Sequence, residues 1–208
     1  MAVSRRSALL SVGLCLVLVG CSGQVESSAA SEGCRVSVGD VSSQLDQEQS
    51  ANAAIIVGES IRRGLPPRAA TIGLVTALQE SKLRNLDHGD QDSVGLFQQR
   101  PSQGWGSVEQ IMDPWYASGA FYAALVKVPD WASGDINDVA QAVQRSGVPE
   151  GYRQHESVAR AWASALTGYD PAAVSCVDRS NQPADPAQLT NFLTTVWPNL
   201  TLTVQQNT

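Results

Sequence analysis

A carboxylate, Glu80, closes an apolar run in the middle of the chain, and an uncharged Gly-Leu-Phe-Gln turn follows at residues 95–98. A helix C-terminus carries partial negative charge, so this position disfavours the anion and favours the protonated form that a general acid needs. The apolar pair in the turn, if folded over the acid, would also remove water from it. The alternative interpretation is a solvated helix-end glutamate beside Lys82 and Arg84.

An amphipathic helix is predicted to position this acid. Residues 66–81 begin with two prolines, which suit a first turn, and apolar residues then recur three and four positions apart. Cap residues and glycines predict further helices, at residues 45–64, 107–112, 113–128, 135–147, 149–168 and 187–197. Residues 85–106 are predicted to form loop and turns, and alternation at residues 199–205 predicts a strand. The predicted fold class is therefore mainly α.

The spacing of the acid and the turn resembles that of a known superfamily. A Glu-Ser pair at a helix end, with a Gly-Leu-Phe-Gln turn fifteen positions later, resembles the lysozyme-like superfamily, above all its soluble lytic transglycosylases and goose-type lysozymes. More narrowly, residues 77–106 together with residues 140–146 resemble a group of actinobacterial exported proteins. The resemblance covers about residues 45–176 and implies a lysozyme-like α-helical domain with a catalytic-cleft loop.

This resemblance implies an enzyme that cuts the glycan strands of peptidoglycan without a cofactor, as a lytic transglycosylase or a muramidase. Glu80 matches the catalytic acid/base, and Ser81 matches a serine that hydrogen-bonds near that carboxyl or the substrate. The turn would line the cleft, and one amide in it could contact an N-acetyl group; its residues are Gly95, Leu96, Phe97 and Gln98. Phe97 takes the place of a methionine in the family.

One position departs from the family pattern. The transglycosylases carry a Tyr-Asn pair in a later helix, where this sequence offers Val143 and Gln144. Gln144 can donate an amide hydrogen bond, whereas Val143 cannot replace a phenolic hydroxyl. A second interpretation therefore stays open: a binding module whose cleft holds peptidoglycan but cuts it poorly or not at all. A third, a lipoprotein that delivers a metal or solute to a transporter, lacks a cluster of ligand side chains.

Other side chains are candidates for the cleft. Trp105, between two glycines of the loop, could stack on a sugar face, whereas Trp115 and Tyr122 at helical spacing fit a core. Arg100 and Arg145 could reach the acidic peptide stem of a glycan, although solvated arginines or structural ion pairs fit equally well.

Hydrolysis with inversion requires a second carboxylate about 6.5–9.5 Å from the acid, whereas transglycosylation requires none. Three aspartates precede the turn, and Asp92, which is nearest to it in sequence, is the first candidate for this base. Asp87 and Asp90 better fit a turn in which aspartate bonds its own backbone. The three lack the residue order and closing glutamate of a calcium loop, and no metal site is predicted.

The N-terminus predicts export. A basic pair, Arg5 and Arg6, precedes an apolar run too short for a membrane span, and the run ends in Leu-Val-Gly-Cys. That ending resembles the lipobox of bacterial lipoproteins, which implies cleavage before Cys21 and a lipid on Cys21. The alternative is a signal peptide with an incidental cysteine. We expect a lipid-anchored protein on the outer face of the cytoplasmic membrane.

The predicted organisation is a signal peptide at 1–20, a flexible tether at 21–33, a lysozyme-like domain at 34–177, and a linker with a small helix-strand appendage at 178–208. Removing residues 1–20 leaves 12 Lys and Arg against 20 Asp and Glu, which argues against a nucleic-acid partner. Cys34 and Cys176 then remain, and an oxidising compartment favours a disulfide between them over two free thiols.

Overall fold

The computed structural model describes residues 32–179 and 185–198. Within these residues the protein is mainly α-helical, as the sequence predicts, with seven α-helices and one three-stranded sheet. The helices are α1 (Gln47–Arg62), α2 (Pro67–Ser81), α3 (Val108–Ile111), α4 (Pro114–Leu125), α5 (Ile136–Gln144), α6 (Glu156–Leu166) and α7 (Pro186–Val196).

Local side-chain capping explains why the helix starts are predictable. The Asp46 carboxylate accepts from the Gln49 amide at 3.0 Å, and the Asp46 amide donates back to the Gln49 side chain at 3.1 Å. This capping box satisfies two amides that have no partner inside α1. The Asp113 side chain accepts from the Trp115 amide at 2.9 Å and so caps α4, which has Pro114 at its first position.

Besides α4, which ends at Leu125 rather than at residue 128, two helix boundaries differ from the sequence-based prediction by three residues or more. Helix α5 ends at Gln144 rather than at residue 147, because Arg145 has a left-handed backbone with φ +54°. Helix α6 starts at Glu156 rather than at residue 149, because residues 149–155 form turns and a short 3-10 helix. The second difference matters most, since it places Tyr152 in a connecting segment instead of on a helix.

A small antiparallel sheet was not predicted from the sequence. Its strands β1 (Gly33–Val38), β2 (Val41–Leu45) and β3 (Val174–Val177) lie in the order β2-β1-β3. The strands are only four to six residues long; Val36 and Leu45 belong to the buried core, and Cys34, Val38, Val41 and Val174 pack against it. The sheet packs on α6, where the Trp162 indole donates to the Ser43 hydroxyl at 3.3 Å.

The disulfide predicted from the cysteine count is confirmed. Cys34 on β1 lies directly opposite Cys176 on β3, and the two sulfurs are bonded. The bond joins positions 142 residues apart, so it ties the first strand to the last one.

Helix α2 lies at the centre of the fold. It packs against α1, α4, α5 and α6, and its residues from Ala69 to Ala77 are all buried. Glu80 occupies the last turn, where the helix emerges from this packing and the carboxylate is half-buried.

Helix α7 belongs to the predicted appendage and packs on α1. A Cβ atom on Gly58 would lie 2.9 Å from the Val196 side chain and 3.2 Å from Trp115, so only glycine permits this approach. The predicted signal peptide, the lipidation site Cys21 and the predicted strand at 199–205 lie outside the described residues. Among the described helices, none has the length and apolar character needed to cross a membrane.

We expect the disulfide to contribute strongly to stability, because it closes a long loop. In the chain-entropy model a crosslink over 142 residues contributes about 4–5 kcal/mol to the free energy of unfolding. Denaturant unfolding with and without a reducing agent measures this contribution, and a Cys34→Ser/Cys176→Ser variant is the control that reducing agent should leave unchanged. An oxidised protein no more stable than the reduced one would contradict the prediction.

Candidate active site

Glu80 lines a cavity of about 980 Å³ beside the C-terminal end of α2. The cavity walls come from the loop after α2, from residues 124–129 at the end of α4, and from residues 142–147 at the end of α5. Its volume is in the range of ligand-binding clefts in proteins. The polar and aromatic side chains that line it with Glu80 include Asp90, Gln98, Trp105, Lys127, Gln144 and Arg145.

The chain leaves α2 through two residues in left-handed conformation. Lys82 has φ +55° and Leu83 has φ +61°, which costs free energy for residues other than glycine. Helix α1 holds this turn: the Asn52 amide donates to the Leu83 carbonyl and the Gln49 amide donates to the Lys82 carbonyl, each at 2.8 Å. The helix therefore ends immediately after Glu80 and Ser81, which leaves the Glu80 carboxylate free to face the cavity.

A buried tyrosine fixes one oxygen of this carboxylate. The Tyr152 hydroxyl donates to Glu80 Oε1 at 2.6 Å, and Tyr152 itself is fully buried. Burial, and next the hydrogen bond and charge of Glu80, raise the pKa of Tyr152, so the phenol keeps its proton and acts as a donor. Glu80 Oε2 makes no hydrogen bond with the described residues and remains available to a ligand.

The segment that carries Tyr152 is held by α5. The Asn137 side chain is 1% exposed; it donates to the Pro149 carbonyl at 2.9 Å and accepts from the Arg153 amide at 3.1 Å. Arg153 also pairs with Asp135 at 3.1 Å, which lowers the pKa of that carboxyl. These contacts fix the position of the phenol relative to α2.

The backbone of the Gly-Leu-Phe-Gln turn is fixed by hydrogen bonds and close packing beside the cavity, which Gln98 lines. The Gly95 amide donates to the Leu86 carbonyl at 2.6 Å, and a Cβ atom on Gly95 would lie 2.8 Å from the Ile111 carbonyl oxygen. The Ser81 hydroxyl donates to the Leu96 carbonyl at 2.7 Å, and the Gln144 amide donates to the Phe97 carbonyl at 2.7 Å. Helices α2 and α5 thus both bind the same turn.

The structure separates the predicted site residues into two groups. Four of them line the cavity: Glu80, Gln98, Trp105 and Gln144. The other residues of the Glu-Ser pair and the turn are buried and support the cavity from behind: Ser81, Gly95, Leu96 and Phe97. Phe97 stacks on Phe121 with 4.6 Å between ring centroids, so its side chain is part of the core and is not available to a ligand.

The cavity lining includes Asp90 and not Asp92, although Asp92 is nearer to the turn in sequence. Asp92 pairs with Arg100 at 2.6 Å and accepts from the Ser102 amide at 2.8 Å, and these contacts hold its pKa well below the usual range. Asp92 therefore closes the loop and does not line the cavity. Asp90 lines it, is exposed, and makes no side-chain hydrogen bond with the described residues. Asp87 contacts only His88, at 2.7 Å.

Sequence reasoning missed Tyr152. The family pattern predicts a phenol next to Gln144, but that position is Val143, which is buried in the cavity wall. The hydroxyl instead comes from a segment eight residues further on, and only the tertiary contact with α2 brings it to Glu80. The available signal was Gly151, directly before Tyr152 in the predicted helix at 149–168, because a glycine is unfavourable inside a helix and can mark a break in it.

Comparison with known proteins gives no family assignment: no protein-family model and no curated protein matches this chain. Across the described residues, no group of three or more His, Cys, Asp or Glu side chains is arranged to hold a metal ion.

We expect Asp92→Asn to lower the midpoint of thermal unfolding at pH 7 by about 2–4 °C, because it removes the charge that anchors Arg100 and Ser102. A lowered pKa stabilises the folded state above pH about 4, and this stabilisation is lost as the pH falls further. The variant and the wild type should therefore converge in acid. Asp90→Asn is the matched control and should leave the midpoint unchanged; equal effects of the two substitutions would contradict the assignment.

Proposed function

We propose that this protein cleaves the glycan strands of peptidoglycan at the cell envelope, with Glu80 as the general acid/base. One observation carries the proposal: a carboxylate at the end of a buried helix opens into a large cavity, with one oxygen held by Tyr152 and the other unbonded within the described part of the chain. The resemblance of residues 77–106 to lytic transglycosylases and goose-type lysozymes supplies the substrate class. A lysozyme-like fold and a lipid anchor on Cys21 form part of the same proposal.

In the proposed reaction, protonated Glu80 donates its Oε2 proton to the glycosidic oxygen between N-acetylmuramic acid and N-acetylglucosamine. The C1–O bond breaks, the leaving sugar departs as an alcohol, and positive charge develops on the ring of the remaining sugar. The Glu80 anion then takes the proton of the nucleophile that attacks C1. That nucleophile is water in hydrolysis, or the 6-hydroxyl of the same sugar in transglycosylation.

Tyr152 would act as a positioning residue in this scheme. Because its proton stays on the phenol, its hydrogen bond holds Oε1 in place during both proton transfers. A fixed carboxylate orientation favours catalysis, since no reorganisation is required as the transition state forms. The phenol that the family pattern places next to the amide would thus be supplied from another part of the chain, which removes the main argument for an inactive cleft.

Asp90 would be the base if the reaction is an inverting hydrolysis, because Asp92 is already engaged by Arg100. Mass spectrometry of fragments released from purified actinobacterial peptidoglycan separates the two reactions. Anhydro-muropeptides indicate transglycosylation, and reducing-end muropeptides indicate hydrolysis. Release of no fragments, with co-sedimentation on the wall, would favour the binding module instead.

Glu80→Gln should reduce fragment release by about 10²–10⁴-fold, because it removes the proton donor and keeps the shape of the side chain. The amide oxygen can still accept from Tyr152, so the thermal midpoint and wall binding should stay near those of the wild type. Fragment release equal to that of the wild type would show that Glu80 has a structural role only.

Tyr152→Phe should reduce fragment release by about 10–100-fold, the range expected for one hydrogen bond to a charged group. Tyr122→Phe is the matched control, because Tyr122 is also fully buried and its hydroxyl donates to the Ile56 carbonyl at 2.9 Å, away from the cavity lining. The control should lose comparable stability and retain activity. Equal activity losses in the two variants would mean that Tyr152 acts through stability alone.

A further inference from the structure

Two cations of the cavity have no partner in the described part of the protein. Lys127 and Arg145 both line the cavity that contains Glu80, and both are exposed. Neither side chain forms an ion pair or a hydrogen bond within residues 32–179 and 185–198. Arg100, the third cation of the lining, is different because Asp92 pairs with it at 2.6 Å.

The two unpaired cations lie in an acidic chain. The whole sequence has a formal net charge of −6, whereas the cavity lining contains Lys127 and Arg145 without a partner among the described residues. Unpaired cations in a cleft can attract an anionic ligand group even when the molecule as a whole is negatively charged. Guanidinium and ammonium groups are the usual donors to carboxylates.

A purely structural explanation also exists for these two residues. Lys127 follows the C-terminus of α4 and Arg145 caps that of α5, and a cation at either end is favourable beside the helix dipole. This explanation predicts an effect on stability and none on ligand binding. Arg145 also has φ +54°, where glycine or asparagine would be less strained. Any side chain with a Cβ atom at this position therefore has a conformational cost in the folded state.

We propose that Lys127 and Arg145 form a subsite for a carboxylate carried by the glycan, next to the bond that Glu80 would protonate. The inference rests on the function proposed above and narrows its substrate to glycans with an acidic substituent. Two groups supply that chemistry: the carboxylates of the attached peptides, and the lactyl carboxylate that muramic acid exposes when its peptide is removed.

The test measures glycan binding by variants that lack the proposed proton donor Glu80. The full chain carrying Glu80→Gln is compared with the same chain carrying Lys127→Gln and Arg145→Gln in addition. The probes are fluorescently labelled soluble glycan strands with their peptides, the same strands after amidase treatment, and both preparations after chemical conversion of their carboxylates to amides. Fluorescence polarisation gives the dissociation constant for each pair.

We expect the two added substitutions to weaken binding of carboxylate-bearing strands by about tenfold or more and to leave binding of the amidated strands unchanged. A loss on peptide-bearing strands assigns the subsite to a peptide carboxylate, and a loss confined to amidase-treated strands assigns it to the lactyl group. An unchanged dissociation constant on both, or an equal loss on charged and amidated strands, would overturn the proposal.

A matched control removes the same charge elsewhere. Arg35→Gln with Arg179→Gln neutralises two exposed cations outside the cavity lining, in the same Glu80→Gln background. This control should bind all probes as the parent does. Thermal unfolding of each variant tests the helix-dipole explanation separately. Because the readout is binding, an absence of glycan cleavage by the wild type would defeat the proposed enzymatic function and leave this test intact.

Discussion

The hydrogen bond from the Tyr152 hydroxyl to Glu80 depends on contacts at both of its ends. On one side, α2 must stop within a residue of the carboxylate, which requires the left-handed Lys82 and Leu83 and the amides of α1 that hold them. On the other side, Asn137 must hold the segment that carries the phenol. Disturbing either support would change the direction of the carboxylate without altering the acid itself, so its geometry is a property of the fold.

The turn at residues 95–98 is likewise held by contacts with the rest of the fold. Its side chains Leu96 and Phe97 fill the core, and Gln98 is the residue of the turn that lines the cavity. The hydroxyl of Ser81 and the amide of Gln144, which a reading of the sequence assigns to the neighbourhood of the substrate, hold this backbone from two directions. Ser81, Leu96 and Phe97 are therefore buried behind the cavity, and substitutions there would act on it through the packing of the turn.

What the sequence predicts well is local. Asp46 and Asp113 cap their helices through contacts within three residues, so the starts of α1 and α4 could be read directly. The sheet was missed because its strands are only four to six residues long and because β3 pairs with β1 from far along the chain. Tyr152 was missed for the same reason, since it meets Glu80 across 72 residues. Asp92 lies close to the turn in sequence, but its carboxylate does not line the cavity.

The position of the aspartates bears on which nucleophile the proposed reaction would use. Asp92 is held as an anion by Arg100, and a base that is already neutralised by an arginine is a weak acceptor for the proton of a water molecule. Asp90 is free of such a partner within the described residues but is exposed, so bulk water would compete unless the bound glycan covered it. Transglycosylation avoids this requirement, because the attacking hydroxyl belongs to the substrate and Glu80 alone can accept its proton. The arrangement therefore favours the intramolecular route, for which a single carboxylate held by Tyr152 is sufficient.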